Sequence, residues 1–113
     1  FGIMNKFEAE LKAGNFVTSE CTYCNKIVWP PSDYCDSCFK GVNWRKVSKN
    51  GIIIELSRKE DDVFCITEFE DKIRVMGKLD TKINMAKPGQ TVKLTKCLFN
   101  GKSCFSFSLE SKQ

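Results

Sequence analysis

The stretch Cys21-Thr22-Tyr23-Cys24-Asn25-Lys26-Ile27-Val28-Trp29-Pro30-Pro31-Ser32-Asp33-Tyr34-Cys35-Asp36-Ser37-Cys38 decides how this chain is read. It holds two Cys-x-x-Cys pairs with ten residues between Cys24 and Cys35. Each pair sits on a tight turn, and the connecting loop folds the second turn onto the first, so four thiolates can surround one tetrahedral ion. The spacing suits zinc (Zn2+), and a shell closed by Cys21, Cys24, Cys35 and Cys38 leaves no position for substrate. The metal is therefore expected to be structural. Asn25 follows Cys24 where a left-handed backbone is often needed, and asparagine tolerates it. After the second pair the order is Phe39, Lys40, Gly41, so the glycine comes late and a looser second turn is expected.

Composition narrows the class. A chain of 113 residues makes one domain or two very small ones, and neither half buries a large core alone. A metal clip in the first third fits that limit, since a structural zinc supplies about 10–16 kcal/mol of folding free energy in small zinc peptides. The odd count of seven Cys, their paired spacing and the lack of an apolar leader argue against a secreted disulfide scaffold. A reducing, cytoplasmic setting is expected. Phe1-Gly2-Ile3 stand before Met4, which reads as the natural start. No stretch approaches the roughly 20 apolar residues that a membrane span needs.

The formal charge of +4 falls to about +2 once four thiolates hold a divalent ion, too mild to imply duplex nucleic acid. The chain has no His, which removes the commonest general base and every mixed Cys/His metal site. No nucleophile with a neighbouring base and no phosphate-cradling glycine loop stands out, so the chain is not expected to be an enzyme.

Outward from the cysteines, Asn5 to Ala13 reads as a short helix, capped by Asn5 with Glu8 three residues on, and stopped by Gly14. Phe7 and Leu11 share one face. Phe16–Glu20 reads as a strand entering the first cysteine turn. Beyond Asn43 five strands are expected, at Gly51–Lys59, Val63–Phe69, Lys72–Asp80, Thr91–Phe99 and Lys102–Glu110. Asn100-Gly101 is a favoured hairpin turn that sets Leu94 against Phe107 and Val92 against Leu109 on the core face. The same register puts Cys97 opposite Cys104 on the outer face, either as a redox pair or as two reduced thiols. A second hairpin turning at Glu70-Asp71 aligns Ile66 with Val75, giving a core face of Phe64, Ile66, Ile73 and Val75. Cys65, Thr67, Phe69, Lys72, Arg74 and Met76 then face outward. Five strands with the longer connection after the third match the small Greek-key barrel of the OB fold. The expected architecture is mainly β: an N-terminal helix (1–15), a zinc ribbon (16–43) and a five-stranded OB-fold barrel (44–113).

The helix Lys6-Phe7-Glu8-Ala9-Glu10-Leu11-Lys12-Ala13-Gly14, the ribbon opening Cys21-Thr22-Tyr23-Cys24-Asn25, Trp29-Pro30-Pro31 before the second cysteine pair, Trp44 and Ala86-Lys87-Pro88-Gly89-Gln90-Thr91-Val92 carry a resemblance over nearly the whole chain. It resembles the acyl-CoA-associated family that joins a rubredoxin-like zinc ribbon to an OB-fold domain and is often encoded beside thiolases. Phe39 departs from it, because the family usually has a small residue after the fourth cysteine. The resemblance implies a non-catalytic scaffold or accessory subunit of a thiolase-type acyl-CoA complex. It would hold a thiolase-fold enzyme against hydroxymethylglutaryl-CoA synthase and help to bind coenzyme A or acyl-CoA. Arg45, Lys46 and Lys49 suit CoA phosphates, Trp29 or Trp44 can stack on adenine, and Pro30 and Pro31 shape the same loop. The alternative for these residues is a solvated basic face and two packing tryptophans.

Two further readings stand beside it. OB barrels bind single-stranded nucleic acid on the face of their second and third strands, where Phe69, Lys72, Arg74 and Lys78 are expected. Glu60-Asp61-Asp62 between the first two strands would repel phosphate, and only one aromatic lies in that set. A four-thiolate site also accommodates iron, as in an electron carrier.

Overall fold

In a computed structural model of the chain, described for residues 5–81 and 85–109, eight strands and one helix follow from these patterns. The expectations for Phe1–Met4 and Glu110 lie outside the described residues. Helix α1 (Lys6–Lys12) is closed by the expected capping box: Asn5 Oδ1 accepts the Glu8 N–H at 2.8 Å, and Glu8 Oε1 accepts the Asn5 N–H at 3.4 Å. Gly14 at φ 89° ends it, and Leu11 is fully buried.

The chain divides into two compact units, Phe1–Val47 with Leu98–Ser103 and Ser48–Cys97 with Cys104–Gln113. The first unit holds a three-stranded antiparallel sheet in the order β2 (Ile27–Val28), β1 (Val17–Cys21), β3 (Val42–Lys46). β1 is central, which is why Val17, Thr18, Ser19 and Cys21 are all buried. Ser19 pairs with Val28 on one side and Trp44 on the other. β3 places Trp44, Arg45 and Lys46 in this sheet, beyond the boundary expected after Asn43.

The second unit is a closed five-stranded barrel in the order β4 (Asn50–Lys59), β5 (Asp62–Phe69), β6 (Ile73–Leu79), β8 (Ser103–Leu109), β7 (Thr91–Phe99). β4 closes the ring by pairing with β7 at Gly51 and Val92, and β6 meets β8 in parallel at Lys78–Ser106 and Leu79–Phe107. Each of the five barrel strands lies within about a residue of its expected span.

Side-chain facing departs from expectation in two places. The turn at Glu70-Asp71 forms, with both residues left-handed and the Lys72 N–H donating to the Phe69 carbonyl at 3.1 Å. The ladder, however, resumes at Phe69–Ile73, so Ile66 faces Met76 and not Val75. A slip of one residue reverses every side chain of β5. Cys65, Thr67 and Phe69 point into the core, and Phe64 and Ile66 turn outward. Phe69 packs against Phe107 with ring centroids 6.0 Å apart; burying one such ring stabilises the barrel by about 2–3 kcal/mol. On β7 the alternation breaks at Thr95 and Lys96, both exposed, which turns Cys97 inward. Cys104 alternates with buried Phe105 and faces the other way, so the two thiols do not share the outer face. Burial pushes the Cys97 and Cys65 thiols up from their ordinary value.

At Gly77 β6 passes close against β8: a Cβ there would stand 2.6 Å from the Phe105 carbonyl oxygen and 2.5 Å from the Phe107 ring. Gly77→Ala is expected to lower stability by about 2 kcal/mol or more in urea unfolding, because backbone must move to admit the methyl group. A change below about 0.5 kcal/mol would contradict this crossing.

Candidate metal centre

β1 ends at Cys21, and the following turn brings Cys24 back beside it. The Asn25 N–H donates to the Cys21 carbonyl at 3.1 Å, and the Cys21 N–H to the Lys26 carbonyl at 2.8 Å. The second pair repeats this: the Phe39 N–H donates to the Cys35 carbonyl at 2.9 Å and the Cys35 N–H to the Lys40 carbonyl at 2.9 Å. Asn25 and Phe39 hold the same left-handed angle, φ 62°. The second turn is therefore not the looser one expected from the late glycine. Phe39 takes the strained position itself, at about 1–2 kcal/mol for a side chain with a Cβ.

The ligand atoms of Cys21, Cys24, Cys35 and Cys38 all lie within 4.8 Å of one another. Tetrahedral zinc with Zn–S bonds of about 2.3 Å needs sulfurs roughly 3.8 Å apart, so the donor set fits a metal of this class. Cys21 and Cys35 are buried, with Val28 beneath and Cys24, Cys38 and Val42 packed around them. Backbone amides aim at the buried sulfurs. The Cys24 and Tyr23 N–H groups reach Cys21 Sγ at 3.2 and 3.3 Å, and the Ser37 N–H reaches Cys35 Sγ at 3.4 Å.

These donors favour thiolate. The Cys24 amide, more than any other group, brings the Cys21 thiol down to about 6, and the Cys38 and Ser37 amides lower Cys35. Cys24 is pushed up to about 12, first by its hydrogen bond to Cys38. Four sulfurs this close cannot all ionise unaided, and a divalent cation is what lets them.

The loop between the pairs is fixed from below. The Thr18 hydroxyl donates to the Val28 carbonyl at 3.3 Å, and the Ser32 N–H donates to Ser19 Oγ at 3.2 Å. The Trp29-Pro30 peptide is cis. Trp29 meets Phe7 and Phe16 edge-on, with centroids 5.6 and 6.1 Å apart, so it anchors α1 to the ribbon. Pro30 is exposed and Pro31 half-buried. Half-buried Trp44 precedes Arg45, whose Nε lies 3.3 Å from Glu20 Oε1. Lys46 is exposed, and exposed Lys49 belongs to the second unit. The four cysteines thus converge on one point, while the proposed CoA residues are spread over the loop, β3 and the second unit. Phe69, the aromatic of the nucleic-acid reading, is fully buried. Tyr23 and Tyr34, which the sequence did not single out, and Phe39, which it marked only as a departure, are large side chains left exposed around the cysteine turns.

A thiolate ribbon joined to a five-stranded barrel defines the class. No family model and no curated protein sequence matches the chain. Among solved structures, a chain of the Ltp2-ChsH2(DUF35) aldolase matches with a TM-score of 0.73 at 15% identity, covering 96% of this chain and 98% of that one. A Sulfolobus solfataricus protein of unknown function from the DUF35 family matches with a TM-score of 0.67 at 16% identity, covering 93% and 83%. The chain therefore has the fold seen in DUF35 proteins. The first match also overturns the expectation of a non-enzyme, since that structure is of an aldolase. Among the described residues no helix is long and apolar enough to cross a membrane.

Cys35→Ala is expected to abolish stoichiometric metal binding and melt the ribbon, read by metal analysis and by loss of dispersed ribbon amide signals. Retention of metal at wild-type affinity would refute the four-ligand site. Phe39→Gly is expected to act the other way, raising the thermal midpoint by an amount equivalent to about 0.5–1 kcal/mol, because the left-handed position no longer carries a Cβ.

Proposed function

We propose that the chain is a DUF35-type subunit of an enzyme complex that makes or breaks carbon–carbon bonds in acyl-CoA substrates. Its barrel is read as the OB type and its ribbon metal as structural zinc. The partner is a thiolase-fold enzyme, with hydroxymethylglutaryl-CoA synthase as a further member of the assembly. The observation that carries this reading is the length of the structural match: ribbon and barrel together follow a chain of an aldolase over 96% of the sequence. A ribbon alone occurs in many settings, whereas the pairing of both units end to end is far narrower.

The chain's own residues bear on CoA unequally. Trp29 serves packing first, through Phe7 and Phe16. Arg45 is matched by Glu20, so Lys46 and Lys49, both exposed, are the better candidates for phosphate contact. Trp44 is half-buried and stays a candidate for stacking on adenine.

The test is to recover the tagged chain from native lysate at mild salt, identify its partners and assay the recovered complex for acyl-CoA carbon–carbon bond cleavage. A thiolase-fold partner, with activity that disappears when the chain is stripped and returns when it is added back, is the expected outcome. Recovery of RNA or ribosomal proteins alone would reject the proposal.

A further inference from the structure

We propose that the barrel carries a binding cleft for a short zwitterionic ligand, a peptide with both ends free, whose ammonium and carboxylate are held by opposite walls. The cleft has a volume of about 470 Å³, within the range of roughly 300–1,000 Å³ for small-molecule sites. It lies wholly in the second unit, on four neighbouring strands in the order β5, β6, β8, β7. Two contacts tie its walls to its floor. Lys78 Nζ lies 3.2 Å from Asp62 Oδ1, and the Thr95 hydroxyl donates to the Ser106 carbonyl at 3.1 Å. Lys78 and Ser106 are partners in the parallel ladder, so Asp62, Lys78, Ser106 and Thr95 form one unbroken row across the cleft.

β7 departs from its own period to build the far wall. In a regular strand neighbouring side chains face opposite sides, yet Thr95 and Lys96 are both exposed and both line the cleft. An irregularity of this kind re-aims a side chain. Here it adds an ammonium group to the wall that Thr95 already occupies. Val92, Leu94 and Cys97 still face the core on either side of the break, which leaves the outward pair to the cleft.

Charge in the cleft is sorted by strand. Lys78 and Asp62 satisfy one another, whereas among the described residues the side chains of Asp61, Asp80 and Lys96 have no ion-pair partner. Asp61 precedes β5 and Asp80 follows β6, while Lys96 stands on β7, two strands beyond β6. A strand spacing of about 4.8 Å sets the two signs roughly 10 Å apart. A small anion could use only the Lys96 end and a small cation only the carboxylate end. A ligand that bears both signs uses the whole cleft. An extended chain covers about 3.3–3.6 Å per residue, so a peptide of about three residues places its ends at that separation. Its amide groups then pass over the Thr95 and Ser106 hydroxyls, which donate and accept alike. Among the described residues the cleft has no aromatic ring, so a nucleoside base would find no stacking surface. The residues assigned to CoA lie elsewhere, and this site does not depend on that assignment.

The test titrates triglycine into the isotope-labelled, zinc-loaded chain at low salt and follows the backbone amide signals. Saturable shifts at Asp80, Thr81, Thr95 and Lys96 are expected. N-acetyl-triglycine lacks the ammonium and triglycine amide lacks the carboxylate, so each should bind about threefold more weakly, or worse. Lys96→Gln should remove the preference for triglycine over its amide and keep the preference over the acetylated form. Asp61→Asn combined with Asp80→Asn should do the reverse. Both variants change exposed side chains, and an unchanged thermal midpoint reports that they are folded. Absence of saturable shifts, equal affinity for the three peptides, or preferences that survive both variants would overturn the proposal. Tighter binding of glucose than of triglycine at the same amides would mark a polyol site and overturn it as well.

Discussion

Four sulfurs held within 4.8 Å of one another are the constraint on which the ribbon depends. Ionised alone they repel, and protonated they bond only weakly. A divalent cation turns the same arrangement into the strongest local attraction in the unit. Everything nearby serves that geometry. β1 delivers Cys21, repeated amide-to-carbonyl bonds shape both turns, and backbone N–H groups stabilise charge on the two buried sulfurs. The unit's apolar core, with Leu11, Phe16, Val17, Val28 and Val47 among its buried residues, is small for a self-sufficient domain. A structural zinc, worth about 10–16 kcal/mol in small zinc peptides, would make up the difference.

The barrel rests on a different principle, and it was legible to a different depth. Strand positions could be read because turn residues punctuate the chain at Glu60-Asp61, Glu70-Asp71 and Asn100-Gly101. Facing could be read only where one parity is apolar. On β6 the residues Ile73, Val75 and Leu79 alternate with Arg74, Met76 and Lys78, and Ile73 and Val75 point inward as expected. β5 offers no such contrast, since Val63, Cys65 and Phe69 compete with Phe64 and Ile66 for the core. A turn that leaves Lys72 outside the ladder then decides the matter, and nothing in the alternation of β5 announces it. The same ambiguity hid the inward turn of Cys97, where two consecutive exposed residues break the period of β7.

The metal site was legible for the opposite reason. Its information lies in spacing along the chain, because each Cys-x-x-Cys pair is local and only the closure of one turn onto the other is long-range. The CoA candidates had no such support. Lys46 and Lys49 were selected by charge and Trp29 and Trp44 by ring, and residue type alone does not say whether a ring packs inside or waits outside. The structure separates these cases by contact: Trp29 leans on Phe7 and Phe16, and Arg45 already has Glu20.

That distinction can be carried to every aromatic of the ribbon. An aromatic that stabilises the fold buries its ring, as Phe16 does, or meets other rings edge-on, as Trp29 does. Tyr23, Tyr34 and Phe39 do neither to the same degree, and Phe39 does so from a backbone position where a glycine would be better tolerated. Asn25 shows what the turn itself requires, since it satisfies the same angle without an exposed ring. The difference between the two turns is thus a difference the fold does not need. A four-thiolate shell would be closed to substrate, yet the two turns that carry it still set which side chains the ribbon presents.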